Sequence, residues 1–185
     1  MNFVYFDLET QRSANEVGGW DHADKMGLSL AVTYSTKRGT FEIYQESEVE
    51  ALVTELQRAE CVVGFNVVEF DYKVLSPYFL FDFSQVPTLD LLLDIKKVIG
   101  TRVRLDDVAE ASVGAGKTSS GDQALKWWKQ GKMLEIAEYC CYDVKATRAV
   151  HEFGIRNGHV LITDKATRLK KKIEVMWKTS YTISQ

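Results

Sequence analysis

Proline and cysteine are scarce in this chain of 185 residues. The two prolines exclude collagen-like and proline-rich linker sequences. The three cysteines are Cys61, Cys140 and Cys141, an odd number without a Cys-x-x-Cys pair. This pattern argues against a secreted disulfide framework and against a structural zinc site. We therefore expect a reducing compartment, the cytoplasm.

Long apolar runs and an excess of basic charge are also missing. No 18 apolar residues follow one another, so we expect no membrane span and no membrane partner. Asp7 and Glu9 interrupt the N-terminal run MNFVYFDLET, which excludes the apolar core of a signal peptide. The formal net charge of −3 excludes a strongly basic protein that coats nucleic acid. It does not exclude a nucleic-acid enzyme whose acidic site holds metal ions.

Hydrophobic residues make up 45% of the chain, which is enough for the core of one domain. Their spacing predicts an α/β or α+β sheet covered by helices. Alternating or continuous apolar runs predict strands over 3–8, 28–35, 40–44, 61–65, 159–163 and 169–175. Helical spacing predicts helices over 46–58, 69–79, 89–99, 105–111, 122–129 and 134–153.

Some acidic residues in the first half of the chain occupy positions that a folded core would shield from water. Asp7 and Glu9 are two residues apart on the first strand, so their side chains share a face. Such acids are costly unless a cation neutralises them, although a strand that ends at Leu8 would leave Glu9 solvated. Asp71 follows the buried strand CVVGF and lies near the start of the next helix. There it is either a partner of the helix dipole or a ligand.

Tyr139 and Asp143 are four residues apart in the helical segment LEIAEYCCYDVKATRAV. They share a helix face, and Ala146 and Val150 continue that face toward the sheet. A phenol and a carboxylate on an inward face need partners. The alternative is a packed Tyr139 and an Asp143 that pairs with a lysine or arginine.

Taken together, these acids predict a metal site. Four carboxylates from the first strand, a mid-chain helix and a late helix can converge around a metal ion. Oxygen ligands favour Mg²⁺ or Mn²⁺ over zinc. Such a site suits hydrolysis of a phosphodiester with two metal ions.

Three segments resemble the exonuclease motifs of the DEDD group in order and approximate spacing, namely FDLET, GFNVVEFD and YCCYD. The tyrosine four residues before the last Asp is similar to the DEDDy branch. Over roughly residues 1–160 the chain resembles predicted bacterial 3′–5′ exonuclease domains of the ribonuclease H-like superfamily, which are related to the proofreading domain of family B DNA polymerases. The resemblance implies an α/β fold, a ribonuclease H-like mixed sheet flanked by helices, with a C-terminal β-hairpin extension.

The resemblance also implies roles for individual residues. Asp7, Glu9 and Asp143 would hold one metal ion, and Asp7 would bridge to a second ion that Asp71 supports. Tyr139 would orient the attacking water, since a free tyrosine with a pKa of about 10 is a poor base at neutral pH. The residues expected to contact substrate are Thr10, Asn66, Phe70 and Lys117.

The expected organisation is an exonuclease domain at 1–158, a hairpin extension at 159–176 and a polar tail at 177–185. The expected partner is the 3′ end of single-stranded DNA or RNA, with a helicase or polymerase as a further partner. Lysines 170–172 in the extension either solubilise an edge strand or contact the phosphate backbone.

Three other functions compete with a DNA exonuclease. An exoribonuclease of the same group differs only in reading the 2′-hydroxyl. A non-catalytic nucleic-acid-binding module would not need to keep buried acids. A P-loop protein is the weakest alternative, because the GAGKT segment at 114–118 has Ala111 where the phosphate-binding pattern requires glycine.

Overall fold

A mixed five-stranded sheet forms the centre of the protein. The structure is a computed structural model, and it describes residues 2–116, 121–164 and 167–178. The spatial order of the strands is β3-β2-β1-β4-β5. β2 runs antiparallel to both β1 and β3, whereas β1, β4 and β5 are parallel. The strands are β1 (Phe3–Thr10), β2 (Leu28–Ser35), β3 (Thr40–Gln45), β4 (Cys61–Gly64) and β5 (Thr88–Asp90).

Helices cover both faces of this sheet. The α-helices are α1 (Ala14–Val17), α2 (Val49–Arg58), α3 (Asp71–Leu75), α4 (Leu91–Ile99), α5 (Leu105–Val113), α6 (Gly121–Lys129) and α7 (Met133–Asn157). Phe3 and Tyr5 of β1 pack in one core with residues of α4 to α7. Val4, Phe6 and Leu8 pack in a second core with α2 and α3. This alternation is the period of two that a strand buried on both faces requires.

The C-terminal hairpin is present and belongs to the first of these cores. β6 (His159–Thr163) and β7 (Lys170–Glu174) pair antiparallel in a separate two-stranded sheet. Val160 and Ile173 are buried among the residues of that core. The predicted ribonuclease H-like mixed sheet with a hairpin extension is therefore confirmed.

The chain beyond the hairpin is anchored at Trp177, the first residue of the predicted polar tail. Trp177 is buried, and its indole Nε1 donates a hydrogen bond to Asp94 Oδ2 at 3.1 Å. A Cβ atom at Gly154 would lie 2.3 Å from the Trp177 ring, so α7 needs glycine at this contact. Residues 179–185 lie outside the described residues. The division of the chain into a domain that ends at 158, a hairpin extension that ends at 176 and a tail stays a prediction.

Several predicted helices differ from the observed elements. Leu89 and Asp90 belong to β5 and not to a helix over 89–99, because they continue the parallel sheet beside β4. The predicted helix over 69–79 is reduced to α3 and a 3₁₀ turn at Ser76–Tyr78. Pro77 lacks the amide hydrogen that a longer helix would use. A 3₁₀ turn, Glu46–Glu48, also replaces the predicted start of α2.

The connection between β1 and β2 contains structure that the apolar pattern does not predict. It forms α1 and a 3₁₀ helix at Trp20–Lys25. Over the part of the chain that the structure describes, none of the helices has both the length and the apolar character needed to span a bilayer.

Candidate active site

Asp7 and Glu9 lie on the face of β1 that α7 covers. Tyr5, the preceding residue on this face, packs in the core that includes Cys140 and Val144 of α7. Leu8, between the two acids, packs in the core on the opposite face. Both carboxylates therefore point toward α7, as strand alternation predicts.

Asp143 completes a group of three carboxylates. One oxygen from each of Asp7, Glu9 and Asp143 can be chosen so that all three lie within 4.8 Å of one another. Desolvation raises the pKa of Asp7 and of Glu9 well above their ordinary values, and the negative charge of Asp143 raises both further. The ionised forms are therefore unfavourable unless positive charge is added between them.

Asp71, the first residue of α3, approaches the same region. β4 pairs with β1 only along Phe3–Tyr5, so the edge of β1 beyond Tyr5 has no strand neighbour on that side. There Asp71 Oδ1 accepts a hydrogen bond from the Leu8 amide at 3.2 Å. Burial raises the pKa of Asp71 to about 8. Asp71 also raises the pKa values of Asp7 and Glu9, although it lies outside the group of three.

The loop that leads into α3 is held by Asp90, a residue that the sequence analysis did not single out. Asp90 Oδ1 accepts from the Asn66 amide at 2.9 Å, and Asp90 Oδ2 accepts from the Val68 amide at 3.1 Å. The same side chain caps α4 by accepting from Leu92 and Leu93. Asp90 thus fixes the turn that places Asp71. The signal for it was an aspartate directly before an apolar helical run.

Tyr139 lies one turn before Asp143 on α7, and its phenol feels the negative charges of Asp143, Glu9 and Asp7. Desolvation is the main reason that the pKa of Tyr139 lies well above its ordinary value, and Asp143 is the next cause. The ring also contacts Trp127 edge to face, with centroids 6.5 Å apart. The phenol is consequently neutral and held in place beside the three carboxylates.

Cys140 contacts Asp7, and the sequence analysis did not predict this contact. Its Sγ lies 3.3 Å from Asp7 Oδ2 and 3.4 Å from the Asp7 carbonyl oxygen. Burial raises the pKa of the thiol well above its ordinary value, and Asp7 raises it further. Cys140 is therefore a neutral donor that orients Asp7, and nothing in the sequence pattern distinguishes it from a packed cysteine.

A cavity of about 810 Å³ opens beside Glu9. Thr10 and Phe70, two of the predicted substrate contacts, line it together with Arg12 and Trp20. Asn66 lies outside this cavity and lines a neighbouring one, which Trp20 and Phe70 also line. Lys117 lies outside the described residues. The structure thus brings all five predicted catalytic residues together, with two predicted substrate contacts beside them.

The donor set fits a hard divalent cation. Three carboxylates offer only oxygen atoms, which suits Mg²⁺ or Mn²⁺. The mutual repulsion of Asp7, Glu9 and Asp143 would be relieved by such a cation. Burial, and next the charge of Asp143, raises the pKa values of Asp7 and Glu9. Asp71 adds a buried fourth carboxylate at the edge of β1, where it accepts a hydrogen bond from the Leu8 amide.

Comparisons with known proteins identify a superfamily and a similar fold. A family model described as the RNase_H superfamily matches residues 4–154. The chain is similar in structure to the family B DNA polymerase of the hyperthermophilic archaeon Pyrobaculum calidifontis, with a TM-score of 0.65 and 17% sequence identity. That match covers 83% of this chain and 24% of the polymerase chain, so the likeness concerns the fold of one part of it. No curated protein matches the sequence.

Proposed function

Because the chain belongs to the RNase H superfamily, we propose that it is a metal-dependent 3′–5′ exonuclease of the DEDDy type. Its substrate would be single-stranded DNA or a frayed duplex end. One observation carries the proposal. Carboxylate oxygens of Asp7, Glu9 and Asp143 lie within 4.8 Å of one another, and the ionised forms of these groups are unfavourable without a cation.

Asp7, Glu9 and Asp143 would hold a divalent ion, and Asp7 with Asp71 would hold a second one. Bound Mg²⁺ or Mn²⁺ would supply the Lewis acidity that makes water a nucleophile at neutral pH and stabilises charge on the phosphate. The protein's own contribution is to fix the four oxygen donors. Cys140 orients Asp7, while the Leu8 amide holds Asp71.

Tyr139 would position the attacking water and would not remove its proton. Its raised pKa keeps the phenol protonated at neutral pH, so the hydroxyl serves as a hydrogen-bonding group. The charges of Asp143, Glu9 and Asp7 all raise the pKa of this phenol, which supports a position of Tyr139 beside the carboxylates. Correct placement of a nucleophile is itself a large part of catalysis.

The cavity beside Glu9 would receive the terminal nucleotide. Thr10, Arg12 and Phe70 line this cavity. Thr10 and Phe70 would contact the sugar and the base, and Arg12 would add a cation for the phosphate. An acidic groove repels a polyanion, so bound metal ions would also strengthen the binding of substrate.

A non-catalytic binding module on the same fold is the second candidate. The crowded acids argue against it, because a protein without catalysis gains nothing from three carboxylates that destabilise one another. An exoribonuclease stays open as a variant of the first proposal, since none of the contacts described above distinguishes a 2′-hydroxyl.

The proposal can be tested with matched DNA and RNA oligonucleotides that carry a label at either the 5′ or the 3′ end. The wild type and Asp143→Asn are incubated with Mg²⁺, Mn²⁺ or EDTA. We expect wild-type protein with metal to shorten 5′-labelled strands one nucleotide at a time and to release the 3′ label first. A ladder from the 5′ end would contradict the polarity. Full activity of Asp143→Asn would contradict the site.

A further inference from the structure

Trp20 is a large apolar side chain that the fold leaves in water. It is 72% exposed, although it lies at the edge of the cavity beside Glu9. Its ring contacts Phe70 edge to face, with centroids 5.9 Å apart and planes inclined by 62°. One face of the indole is therefore free beside the candidate active site.

The backbone that carries Trp20 is held firmly. Ser13 and Glu16 form a capping box on α1, and the Gly19 amide donates to the Ala14 carbonyl at 2.7 Å. Gly19 has a φ of 129°, a conformation that other residues rarely adopt. Ala23, in the same 3₁₀ helix as Trp20, is buried. An exposed aromatic ring on an ordered support is suited to stacking, because little conformational freedom is lost on binding.

Trp20 and Phe70 line two neighbouring cavities and so form the wall between them. The first is the cavity beside Glu9. The second measures about 750 Å³, which lies within the range of small-molecule sites, and it also contains Asn66, Lys73 and Arg102. A strand whose end lies in the first cavity can continue past this wall into the second.

The second cavity offers groups that suit a nucleotide. Asn66 Oδ1 is buried without a hydrogen-bond partner among the described residues, so it can accept from a base or sugar. Asn66 has a φ of 76°, and its backbone amide donates a hydrogen bond to the Asp90 carboxylate, so the position of Asn66 is fixed. Two acids, Asp21 and Glu69, also line this cavity. Glu69 pairs with Arg102 at an N···O distance of 3.5 Å, so the exposed Lys73 is the cation that remains for a phosphate.

We propose that Trp20 and Asn66 form a second nucleotide subsite, in which an unpaired base near the 3′ end stacks on the free face of Trp20. The inference rests on the proposed function and adds to it a requirement for unpaired bases beyond the terminal one. A duplex cannot offer the face of such a base, so this subsite selects single strands.

The test uses a fluorescent single strand of about 12 nucleotides, a length within the range of roughly 4–16 nucleotides that common single-strand sites occupy. Abasic sites replace each of the last four bases in turn, and affinity is measured by anisotropy in EDTA. The proteins are the wild type, Trp20→Ala and Trp20→Phe. Leu80→Ala is the control, because Leu80 is a fully exposed apolar residue outside both cavities.

Stacking on an aromatic ring changes affinity by about 5- to 100-fold. We expect Trp20→Ala to weaken binding by this factor, and Trp20→Phe to restore part of it. One abasic position should weaken binding to the wild type and have no further effect on Trp20→Ala. Equal affinities of the wild type and Trp20→Ala, or the same abasic penalties in both, would overturn the subsite.

Hydrolysis with Mn²⁺ separates this inference from the proposed function. We expect Trp20→Ala to raise KM by a similar factor while kcat changes little, since an indole offers no ligand to a metal ion and no proton acceptor to the attacking water. A wild type that hydrolyses no strand would contradict the proposed function. The binding series in EDTA would still decide the subsite, because stacking does not require the metal.

Discussion

Replacing Asp71 by asparagine should stabilise the metal-free protein at neutral pH. Asp71 is 2% exposed, and burial raises its pKa from 3.8 to about 8. Asparagine has nearly the same shape, and its oxygen can still accept from the Leu8 amide. The variant therefore keeps the packing and removes the cost of a buried ionisable group.

The pH dependence follows from the sign of the shift. The folded state binds a proton at Asp71 more tightly than the unfolded state, so the stability from this proton is fully present below pH 3.8. It is lost as the pH rises toward about 8. Each pH unit in this window changes the free energy of unfolding by about 1.4 kcal/mol, which amounts to about 4 kcal/mol between pH 4 and pH 7.

Thermal unfolding in EDTA at pH 5, 6, 7 and 8 measures the effect. For a chain of this size about 1 kcal/mol shifts Tm by roughly 2–4 °C, so Asp71→Asn should melt about 10 °C above the wild type at pH 7. The difference should shrink as the pH falls. Asp24→Asn is the matched control, since Asp24 is exposed. A variant that melts at or below the wild-type Tm at pH 7, or with the wild-type pH slope, would refute the reasoning.

Three other variants test separate contacts. Tyr139→Phe keeps the ring and removes the hydroxyl, so single-turnover hydrolysis should slow by roughly 10–10³-fold with oligonucleotide affinity unchanged; a wild-type rate would make Tyr139 a packing residue. Cys140→Ala removes the donor to Asp7 and should weaken Mn²⁺ binding by about 10-fold, whereas Cys140→Ser should restore it; equal metal affinities would leave the thiol without a positioning role. Replacing the three lysines of β7 (170–172) by glutamine should flatten the salt dependence of binding, with a slope change of up to about 2; an unchanged slope would assign them to solubility.

The sequence predicted the parts of the site that depend on regular periodicity. Asp7 and Glu9 share a face because side chains alternate along a strand, and Tyr139 meets Asp143 because residues four apart share a helix face. Both patterns depend only on residues that are close together in the sequence, so the rest of the fold does not alter them. The order of the other strands and of the longer helices followed from the same periodicities, whereas β5 and α1 were not predicted.

Contacts between segments far apart in the sequence were not predictable in this way. Leu89 and Asp90 have helical spacing with the residues that follow, yet they join the sheet because the edge of β4 offers a parallel partner. The hydrogen bond from Leu8 to Asp71 exists only because β4 ends before β1 does. Such contacts depend on the three-dimensional arrangement of the strands and leave no periodic signal.

Residues outside the acidic motifs were harder to recognise. Cys140 lies on an inward face, where a packed cysteine and a donor to a carboxylate have the same pattern. Trp20 stands in a glycine-rich connection in which no strand or helix of substantial length was predicted. Its importance follows from its exposure beside the site, and exposure is a property of the folded chain.

The most direct test of the account measures metal binding and hydrolysis together in the wild type and Asp7→Asn. Mn²⁺ affinity is determined by calorimetry, and cleavage of a 5′-labelled single strand is followed over the same range of free Mn²⁺. The account predicts that hydrolysis by the wild type rises with metal occupancy. It also predicts that Asp7→Asn stays folded, binds Mn²⁺ at least 10-fold more weakly by analogy with lost metal-site partners, and does not cleave. Full cleavage in EDTA, or wild-type turnover by Asp7→Asn, would contradict the central claim.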